Sequence, residues 1–309
     1  MACNSICERN DSLESLPAQC NVASFGIEPA DVRDVNVLRW DTAHSVYRII
    51  CEEGSYVLKW FHDPVVAIEP RVYALLMSCG VPTLAVLWHS DQGLLLEDLD
   101  YSSQWRRACE ADIDRSATGV ALAHWYHCLH HAGRDVLAHP CLRPTWLQSW
   151  VDEINAASLS TAGAILGVRD EPAWTLAIEH AERLKSAFRD LPQTFNYNDF
   201  AVENMALSRA VQVPLRAIVF DYDQFGLGPA YSDWRNVVSV LRGASRSAFE
   251  EAYGVVDLRE RILDEPLSIL YGLVSASRRS QLPRWAVPLF EAVRTGELEG
   301  AIRRALEVT

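Results

Sequence analysis

A polar turn at residues 196–204 constrains this chain more than any other stretch of its sequence. Asp199 and Asn204 lie five positions apart within it, and an apolar run at residues 215–220 then leads to Asp221. In phosphoryl transfer, one carboxylate positions the attacking hydroxyl, while an amide oxygen and a second carboxylate hold Mg²⁺ against the phosphates. Because Asp and Asn are also common loop residues, this spacing needs support from the rest of the chain.

The N-terminal third predicts an antiparallel sheet. Residues 35–40, 46–51 and 56–61 alternate or cluster β-branched and aromatic side chains in the manner of strands. The Glu-Glu-Gly sequence at residues 52–54 indicates a hairpin turn between the second and third of them. Residues 1–34 are predicted to form a loose leader with one short helix around residues 12–20.

Lys59 lies in the middle of the third predicted strand. The chain has 28 lysines and arginines, yet only Lys59 and Lys185 are lysines. A compact ammonium suits nucleotide phosphates, so Lys59 is predicted to bind them; the alternative is an outward-facing strand residue. Glu69 opens the next predicted helix, with Pro70 in its first turn, and is expected to hold Lys59. A glutamate there could also serve the helix dipole alone.

Two more short strands, at residues 84–88 and 94–96, lead into a polar connector at the end of the predicted sheet. In a two-lobed nucleotide-binding protein, this connector would offer backbone groups to the edge of a purine base. Glu97 and Leu99 are therefore candidate nucleotide-binding residues. Their backbone contacts would leave no side-chain signature, so this assignment depends on the other residues of the site.

The turn at residues 41–45, between the first two strands, would fold over the phosphates of a nucleotide. It contains no glycine, so the freedom that glycine gives a phosphate-binding loop is missing. Ser45 and the backbone amides of the turn could still donate to phosphate. His44 is interpreted as an ordinary loop histidine.

The rest of the chain is predicted to be mainly helical. Amphipathic patterns cover residues 111–132, 145–158 and 173–189, and a further helix is predicted with Ser232 as its cap. Asp233 is interpreted as a structural brace for the polar turn. Four histidines in the first helix are interpreted as packing residues rather than metal ligands, because no acidic partners stand at matching spacing: His124, His127, His130 and His131.

The acceptor pocket leaves a weaker signal. Acidic residues on the C-terminal helices could bind an amine, although exposed acids are more often ordinary surface residues. The candidates are Asp152, Glu153, Asp264 and Glu265.

Composition narrows the class of protein. With 309 residues, 49% of them hydrophobic, the chain can build one large domain or two lobes. A net charge of −13 argues against nucleic acid as a partner, and no apolar run approaches the ~18 residues of a membrane span. Eight cysteines without a C-x-x-C pair indicate free thiols in a reducing compartment. Together with a polar N-terminus, these features predict a cytoplasmic protein.

The ordered set of motifs resembles the aminoglycoside phosphotransferase/choline kinase family over about residues 35–236. The resemblance lies in the Val-Leu-Lys strand, the helix glutamate, the Leu-Glu-Asp-Leu connector, Asp-x₄-Asn, Phe-Asp-Tyr-Asp and Gly-x-Gly-Pro. It implies an α+β, protein-kinase-like bilobal fold with a small antiparallel sheet and one helix in the N-lobe and a mainly helical C-lobe. One departure is Tyr197, where the family commonly has a histidine two residues before the catalytic aspartate.

The resemblance also implies roles for individual residues. Lys59 would contact the α and β phosphates with Glu69 orienting it, and Asp199 would be the catalytic base. Asn204 and Asp221 would hold Mg²⁺, and Asp223 matches a second acidic position of the metal turn.

The sequence thus predicts a nucleotide-binding lobe at residues 1–99 and a helical lobe with the catalytic and acceptor sites at residues 100–309. The expected activity is Mg²⁺-dependent transfer of phosphate from ATP or GTP to a hydroxyl of a small molecule, with an aminoglycoside or other antibiotic as one option. Alternatives are a metabolic kinase for a choline- or sugar-like alcohol and a pseudokinase that only binds nucleotide. The protein is expected to act as a monomer or homodimer, without nucleic-acid or membrane partners.

Overall fold

The computed structural model describes residues 16–17, 20–64, 67–209 and 214–309. After two short 3₁₀ turns, an antiparallel sheet of five strands follows in the order β1-β2-β3-β5-β4, with one helix, α1, between β3 and β4 in the chain. The strands are β1 Val32–Trp40, β2 His44–Cys51, β3 Ser55–Phe61, β4 Val86–Ser90 and β5 Gly93–Glu97, and the helix is α1 Glu69–Ser78. The predicted strands and the hairpin at residues 52–54 are confirmed.

The rest of the described chain is mainly helical, with two small sheets. A three-stranded sheet has the order β6-β8-β9, and a two-stranded one pairs β7 with β10. The strands are β6 Trp105–Arg107, β7 Thr194–Asn196, β8 Met205–Ser208, β9 Ala217–Val219 and β10 Gly226–Gly228. The helices are α2 Ser116–Ala138, α3 Ala156–Leu166, α4 Pro172–Arg189, α5 Ala230–Val240, α6 Gly243–Tyr253, α7 Leu258–Ser277, α8 Val287–Arg294 and α9 Glu297–Glu307.

The long helix α2 differs from its prediction, which ended it before Gly133. The helix continues past this residue because Gly133 serves packing rather than termination. A Cβ atom there would lie 2.2 Å from the backbone nitrogen of Phe195. The missing side chain therefore lets β7, which leads into the polar turn, lie directly against α2.

Two other helix predictions were wrong. Residues 145–158 do not form one helix: a 3₁₀ turn at Trp150–Glu153 precedes α3, whose first amides are capped by the Asn155 side chain. Ser232 is not a cap either. It lies inside α5, and its hydroxyl donates to the Asp264 carboxylate at 2.6 Å.

The predicted leader is partly packed. Its helix at residues 12–20 lies largely outside the described residues. Val22, Phe25 and Ile27 are buried in one apolar cluster with the five-stranded sheet, and the Phe25 ring lies 4.2 Å from that of Trp88. This packing covers the face of the sheet opposite to the cleft described below.

A continuous apolar core joins the sheet and α1 to α2 and the small strands of the polar turn. A second core fills the space among α3, α4 and α7 to α9. Within the part of the chain that the structure describes, no helix is both long and apolar enough to cross a membrane.

Candidate active site

Lys59 lies on β3, at the centre of the five-stranded sheet, and only 5% of it is exposed. Its Nζ atom lies 2.5 Å from Glu69 Oε2 at the start of α1. The same atom lies 2.5 Å from Asp221 Oδ1 and 3.3 Å from Asp223 Oδ1. The structure therefore brings the lysine to both the helix glutamate and the acidic turn that follows β9, and Lys59 is not an outward-facing surface residue.

The charges of this cluster keep the lysine protonated. Burial disfavours the ammonium, but the carboxylates of Glu69, Asp221 and Asp223 outweigh it and raise the pKa of Lys59 above its usual value. For Glu69, burial raises the pKa and Lys59 opposes that effect. Three acidic side chains surround one ammonium here, so the site has an excess of negative charge that an additional cation could balance.

Asp233 supports the loop that carries Asp199. Its buried carboxylate accepts hydrogen bonds from the backbone amides of Tyr197, at 3.0 Å, and Asn198, at 2.9 Å. It also accepts from His130 Nε2 at 3.0 Å and from the Asn196 side chain. These bonds hold Asn198 in the left-handed region, with φ 67°, immediately before Asp199. Asn tolerates that conformation better than most residues.

The histidines of α2 contribute to this support as packing residues. His130 is buried between Asp233 and the Tyr253 hydroxyl, which lies 2.9 Å from its Nδ1. His127 stacks on the Tyr253 ring, with centroids 4.9 Å apart. Neither belongs to the group of candidate metal ligands found among the described residues.

Solvent reaches the Asp199 side chain, yet its surroundings disfavour ionisation. Partial burial, followed by the negative charges of Asp221 and Asp223, raises the pKa of Asp199 to about 6. A carboxylate with such a pKa is ionised at neutral pH and is a better proton acceptor than an ordinary aspartate.

The acidic turn after β9 is braced by Tyr197. The Tyr197 hydroxyl donates to the Phe220 carbonyl at 2.6 Å, and the Phe220 amide donates to the Asn204 carbonyl at 3.0 Å. Asp221 then adopts φ 68°, an unfavourable conformation for a residue other than glycine or asparagine. Tyr197 thus supplies a contact to the turn from the position where a histidine was expected.

Oxygen ligands for a cation converge at this turn. Ligand atoms of Glu69, Asp221 and Asp223 all lie within 4.8 Å of one another. Asn204 uses its side-chain nitrogen to donate to the Asp199 carbonyl at 3.3 Å, so its amide oxygen can face a cation. Carboxylate and amide oxygens suit a hard cation such as Mg²⁺. The predicted set lacked Glu69, whose proximity depends on how α1 packs.

A cavity of about 250 Å³ extends from this cluster. Its apolar part lies between the sheet and the Phe220 side chain, and its polar end carries Lys59 and Asp221. Glu97 and Leu99 line the wall between the sheet and the helical part, so both candidate base-binding residues face the cavity. The Glu97 amide donates to the Ala85 carbonyl at 3.1 Å, so this amide is not available to a ligand.

Ser45 does not fit its predicted role. The residue belongs to β2 rather than to a loop, and its buried hydroxyl lies 2.8 Å from His62 Nε2. It lines a separate cavity with Trp40 and Trp60, because neighbouring strand residues point to opposite faces of a sheet. Its neighbour His44 lines the cavity with Lys59 instead.

The four acidic acceptor candidates are already paired. Asp264 accepts from Ser232 and lies 2.6 Å from Arg235 Nε. The other three, Asp152, Glu153 and Glu265, pair with Arg189, Arg278 and Arg304 respectively. Each of these four carboxylates therefore already has a basic partner within the protein.

A buried link between the sheet and the connector left no signal in the sequence. Asp98, which lies between Glu97 and Leu99, accepts from Arg48 on β2 at 2.6 Å and from the Ser55 hydroxyl at 2.8 Å. These partners stand more than forty positions away along the chain, and only the folded sheet brings them together. The link fixes the connector against β2 and β3.

The sequence matches no protein-family model and no curated protein. It is similar in structure to an ethanolamine kinase from Plasmodium vivax (TM-score 0.59, 11% identity, 91% of this chain and 88% of that one). A GDP complex of a mutant aminoglycoside 2'-phosphotransferase-IIIa gives TM-score 0.56 and 13% identity, with coverage of 88% and 94%. A macrolide 2'-phosphotransferase from Brachybacterium faecium gives 0.52 and 14%, with coverage of 84% and 91%.

These similarities extend over most of each chain and identify the fold. The protein has the α+β, protein-kinase-like bilobal fold of the aminoglycoside phosphotransferases and choline/ethanolamine kinases. The fold predicted from the motif order is confirmed.

Proposed function

We propose that this protein is a small-molecule kinase that transfers phosphate from ATP or GTP to a hydroxyl group in a Mg²⁺-dependent reaction. One observation carries the proposal: Lys59, Asn204 and Asp221, which come from separate parts of the chain, line one cavity. Asp199 lies beside them, because its carbonyl accepts from the Asn204 side chain and its carboxylate is close enough to feel the charge of Asp221. The pseudokinase alternative is less favoured, because a degenerate kinase commonly lacks at least one of these four residues.

The cavity supports a nucleotide as the phosphate donor. The base would occupy the apolar part and bond the backbone at Glu97 and Leu99, as in the predicted connector. Lys59, held by Glu69, would bind the α and β phosphates with an ammonium that is charged across the physiological range. A GDP complex among the similar structures is consistent with such a ligand.

Asn204, Asp221 and Asp223 would hold Mg²⁺, which when bound neutralises the phosphates during transfer. The excess of carboxylate over ammonium at this site fits a divalent cation. Lys59 now lies 2.5 Å from Asp221, so the lysine and the cation would share this carboxylate.

Asp199 would accept the proton of the acceptor hydroxyl. Its pKa of about 6 lies below neutral pH, so the carboxylate is ionised, and its raised value makes it a better proton acceptor than an ordinary aspartate. The Asp233 network fixes the backbone on which Asp199 stands, so the position of the base follows from buried hydrogen bonds rather than from a mobile loop.

The acceptor is a hydroxylated small molecule. Similar structures include an ethanolamine kinase, a macrolide phosphotransferase and an aminoglycoside phosphotransferase, so an antibiotic and a metabolic alcohol such as choline are both candidates. The paired state of the four acidic candidates disfavours them as binding sites for amines.

We further propose that residues 1–99 form the nucleotide-binding lobe and residues 100–309 the acceptor lobe. A cytoplasmic location is supported by the described cysteines, which are all free thiols.

The test is a nucleotide-consumption screen with ATP and GTP across aminoglycosides, macrolides, choline, ethanolamine and simple sugars. Acceptor-dependent ADP or GDP release is expected with at least one compound and should disappear with EDTA. The matched variant is Asp221→Ala, which should lose Mg²⁺-dependent nucleotide binding. The proposal is wrong if the wild-type protein binds neither nucleotide in the presence of Mg²⁺.

A further inference from the structure

In the turn between β1 and β2, a carboxylate engages two backbone amides that could otherwise face a phosphate. Asp41 Oδ1 accepts from the amides of Ala43 and His44, both at 2.9 Å. The Asp41 amide in turn donates to the His44 carbonyl at 3.0 Å. A kinase that covers its nucleotide phosphates with a glycine-rich loop relies on such amides. Here they are engaged by a carboxylate, and no glycine is present at residues 41–45.

His44 is placed where those amides would have acted. It is the first residue of β2, 4% exposed, and its ring lines the same cavity as Lys59. The ring of Phe61, on the neighbouring strand, lies 6.4 Å from it. His44 and Lys59 therefore approach the polar end of the cavity from adjacent strands.

The Nε2 atom of His44 is buried and has no hydrogen-bond partner among the described residues. Buried polar side-chain atoms are nearly always paired, since an unpaired one loses its bonds to water without replacement. The other ring nitrogen, Nδ1, lies 3.5 Å from Asp41 Oδ1, which directs Nε2 away from the turn. An unpaired nitrogen lining a ligand cavity indicates a group that a ligand completes.

The charges around His44 favour an anion as that ligand. Lys59 on β3 and Arg39 on β1 are positive neighbours, while Asp41 and Asp223 are negative ones. Burial, followed by Lys59, lowers the pKa of His44, so the unliganded ring is neutral at physiological pH. A phosphate oxygen and the Asp41 carboxylate both only accept, so a ring between them needs a proton on each nitrogen. The negative charge of a phosphate beside Nε2 would favour that protonated ring.

We propose that His44 Nε2 donates a hydrogen bond to a phosphate oxygen of the bound nucleotide and so replaces the loop amides that Asp41 engages. The inference rests on the proposed nucleotide-dependent function. It assigns phosphate recognition on this side of the cavity to a side chain rather than to loop backbone.

The test compares affinities for a nucleoside triphosphate with Mg²⁺ and for the corresponding nucleoside, by isothermal titration calorimetry. In His44→Ala, triphosphate affinity should fall on the order of tenfold or more, as expected for a hydrogen bond to a charged group. Nucleoside affinity should be unchanged. His44→Gln keeps an amide donor and should recover part of the loss.

His62→Gln is the matched control, because His62 contacts Ser45 at the separate cavity of this sheet rather than lining the one with Lys59. It should keep wild-type affinity for the triphosphate. Equal losses for nucleoside and triphosphate in both His44 variants would mean a structural role and overturn the inference. Wild-type affinity in His44→Ala would also overturn it while leaving the proposed function intact. Failure of the wild-type protein to bind either nucleotide would instead overturn the proposed function and this inference together.

Discussion

Replacing Asp233 by asparagine should both destabilise the protein and inactivate it. The carboxylate accepts from two backbone amides, a histidine and an asparagine side chain, and only 1% of Asp233 is exposed. Asn has nearly the same shape, but one of its two terminal atoms is a donor. Whichever way the amide is oriented, that nitrogen would face at least one N–H group.

The magnitude follows from this geometry. Each hydrogen bond to a charged group contributes about 1.5–3 kcal/mol, and Asp233→Asn removes the charge from all of them and abolishes at least one. We therefore expect the free energy of unfolding to fall by about 3–5 kcal/mol, in the range seen when a buried charged network is broken. A protein whose stability lies above the lower end of the ordinary range of roughly 5–15 kcal/mol would still fold.

The assay is urea denaturation followed by circular dichroism, combined with turnover on the best acceptor from the screen. Asp170→Asn is the matched control, because Asp170 is exposed and its substitution should change stability by less than about 0.5 kcal/mol. A loss below 1 kcal/mol in Asp233→Asn, with turnover retained, would refute the conclusion that Asp233 holds the catalytic loop in place.

Three further predictions concern the same loop and its support. Tyr197→Phe should lower the free energy of unfolding, measured by urea denaturation, by about 1–3 kcal/mol, since it leaves a carbonyl of the acidic turn unpaired. An unchanged midpoint of denaturation would contradict the bracing role of Tyr197. Gly133→Ala should lower the free energy of unfolding by about 3 kcal/mol, because its methyl group would meet the backbone of Phe195. Gly54→Ala, which has open space around it, should not lower it, and equal effects of the two substitutions would argue against close packing of α2. Finally, kcat/KM for the nucleotide should fall about tenfold per pH unit below pH 6. Asp199 has a pKa of about 6 and acts as a base only when it is ionised. A kcat/KM that stays constant down to pH 5 would contradict this role.

Features encoded by local pattern were predictable from the sequence. Alternating β-branched residues and a Glu-Glu-Gly turn predicted the hairpin of β2 and β3, and the 3.6-residue period predicted α1 and α4. Lys59 could be singled out because lysine is rare in this chain, and the structure places it beside Glu69 as expected.

Features that depend on long-range packing could not be predicted from the sequence. The sequence cannot tell a helix-ending glycine from one that admits a neighbouring strand, so α2 was predicted to end at Gly133. β2 begins at His44, two residues before its predicted start, so His44 and Ser45 are strand residues rather than loop residues. Neighbouring strand residues point to opposite faces of the sheet, so His44 lines the cavity with Lys59 and Ser45 does not. The contact of Lys59 with both Glu69 and Asp221 likewise arises only when the sheet meets the turn after β9.

The central claim is that Asp199 is the base of a phosphotransferase, and the most direct test is Asp199→Asn measured for both turnover and nucleotide affinity. Turnover on the acceptor should fall by about 10²–10⁴-fold, the usual contribution of a general base. Affinity for the Mg²⁺–nucleotide complex should stay near the wild-type value, because Lys59 and Asp221 remain. Substantial turnover in this variant would contradict the account.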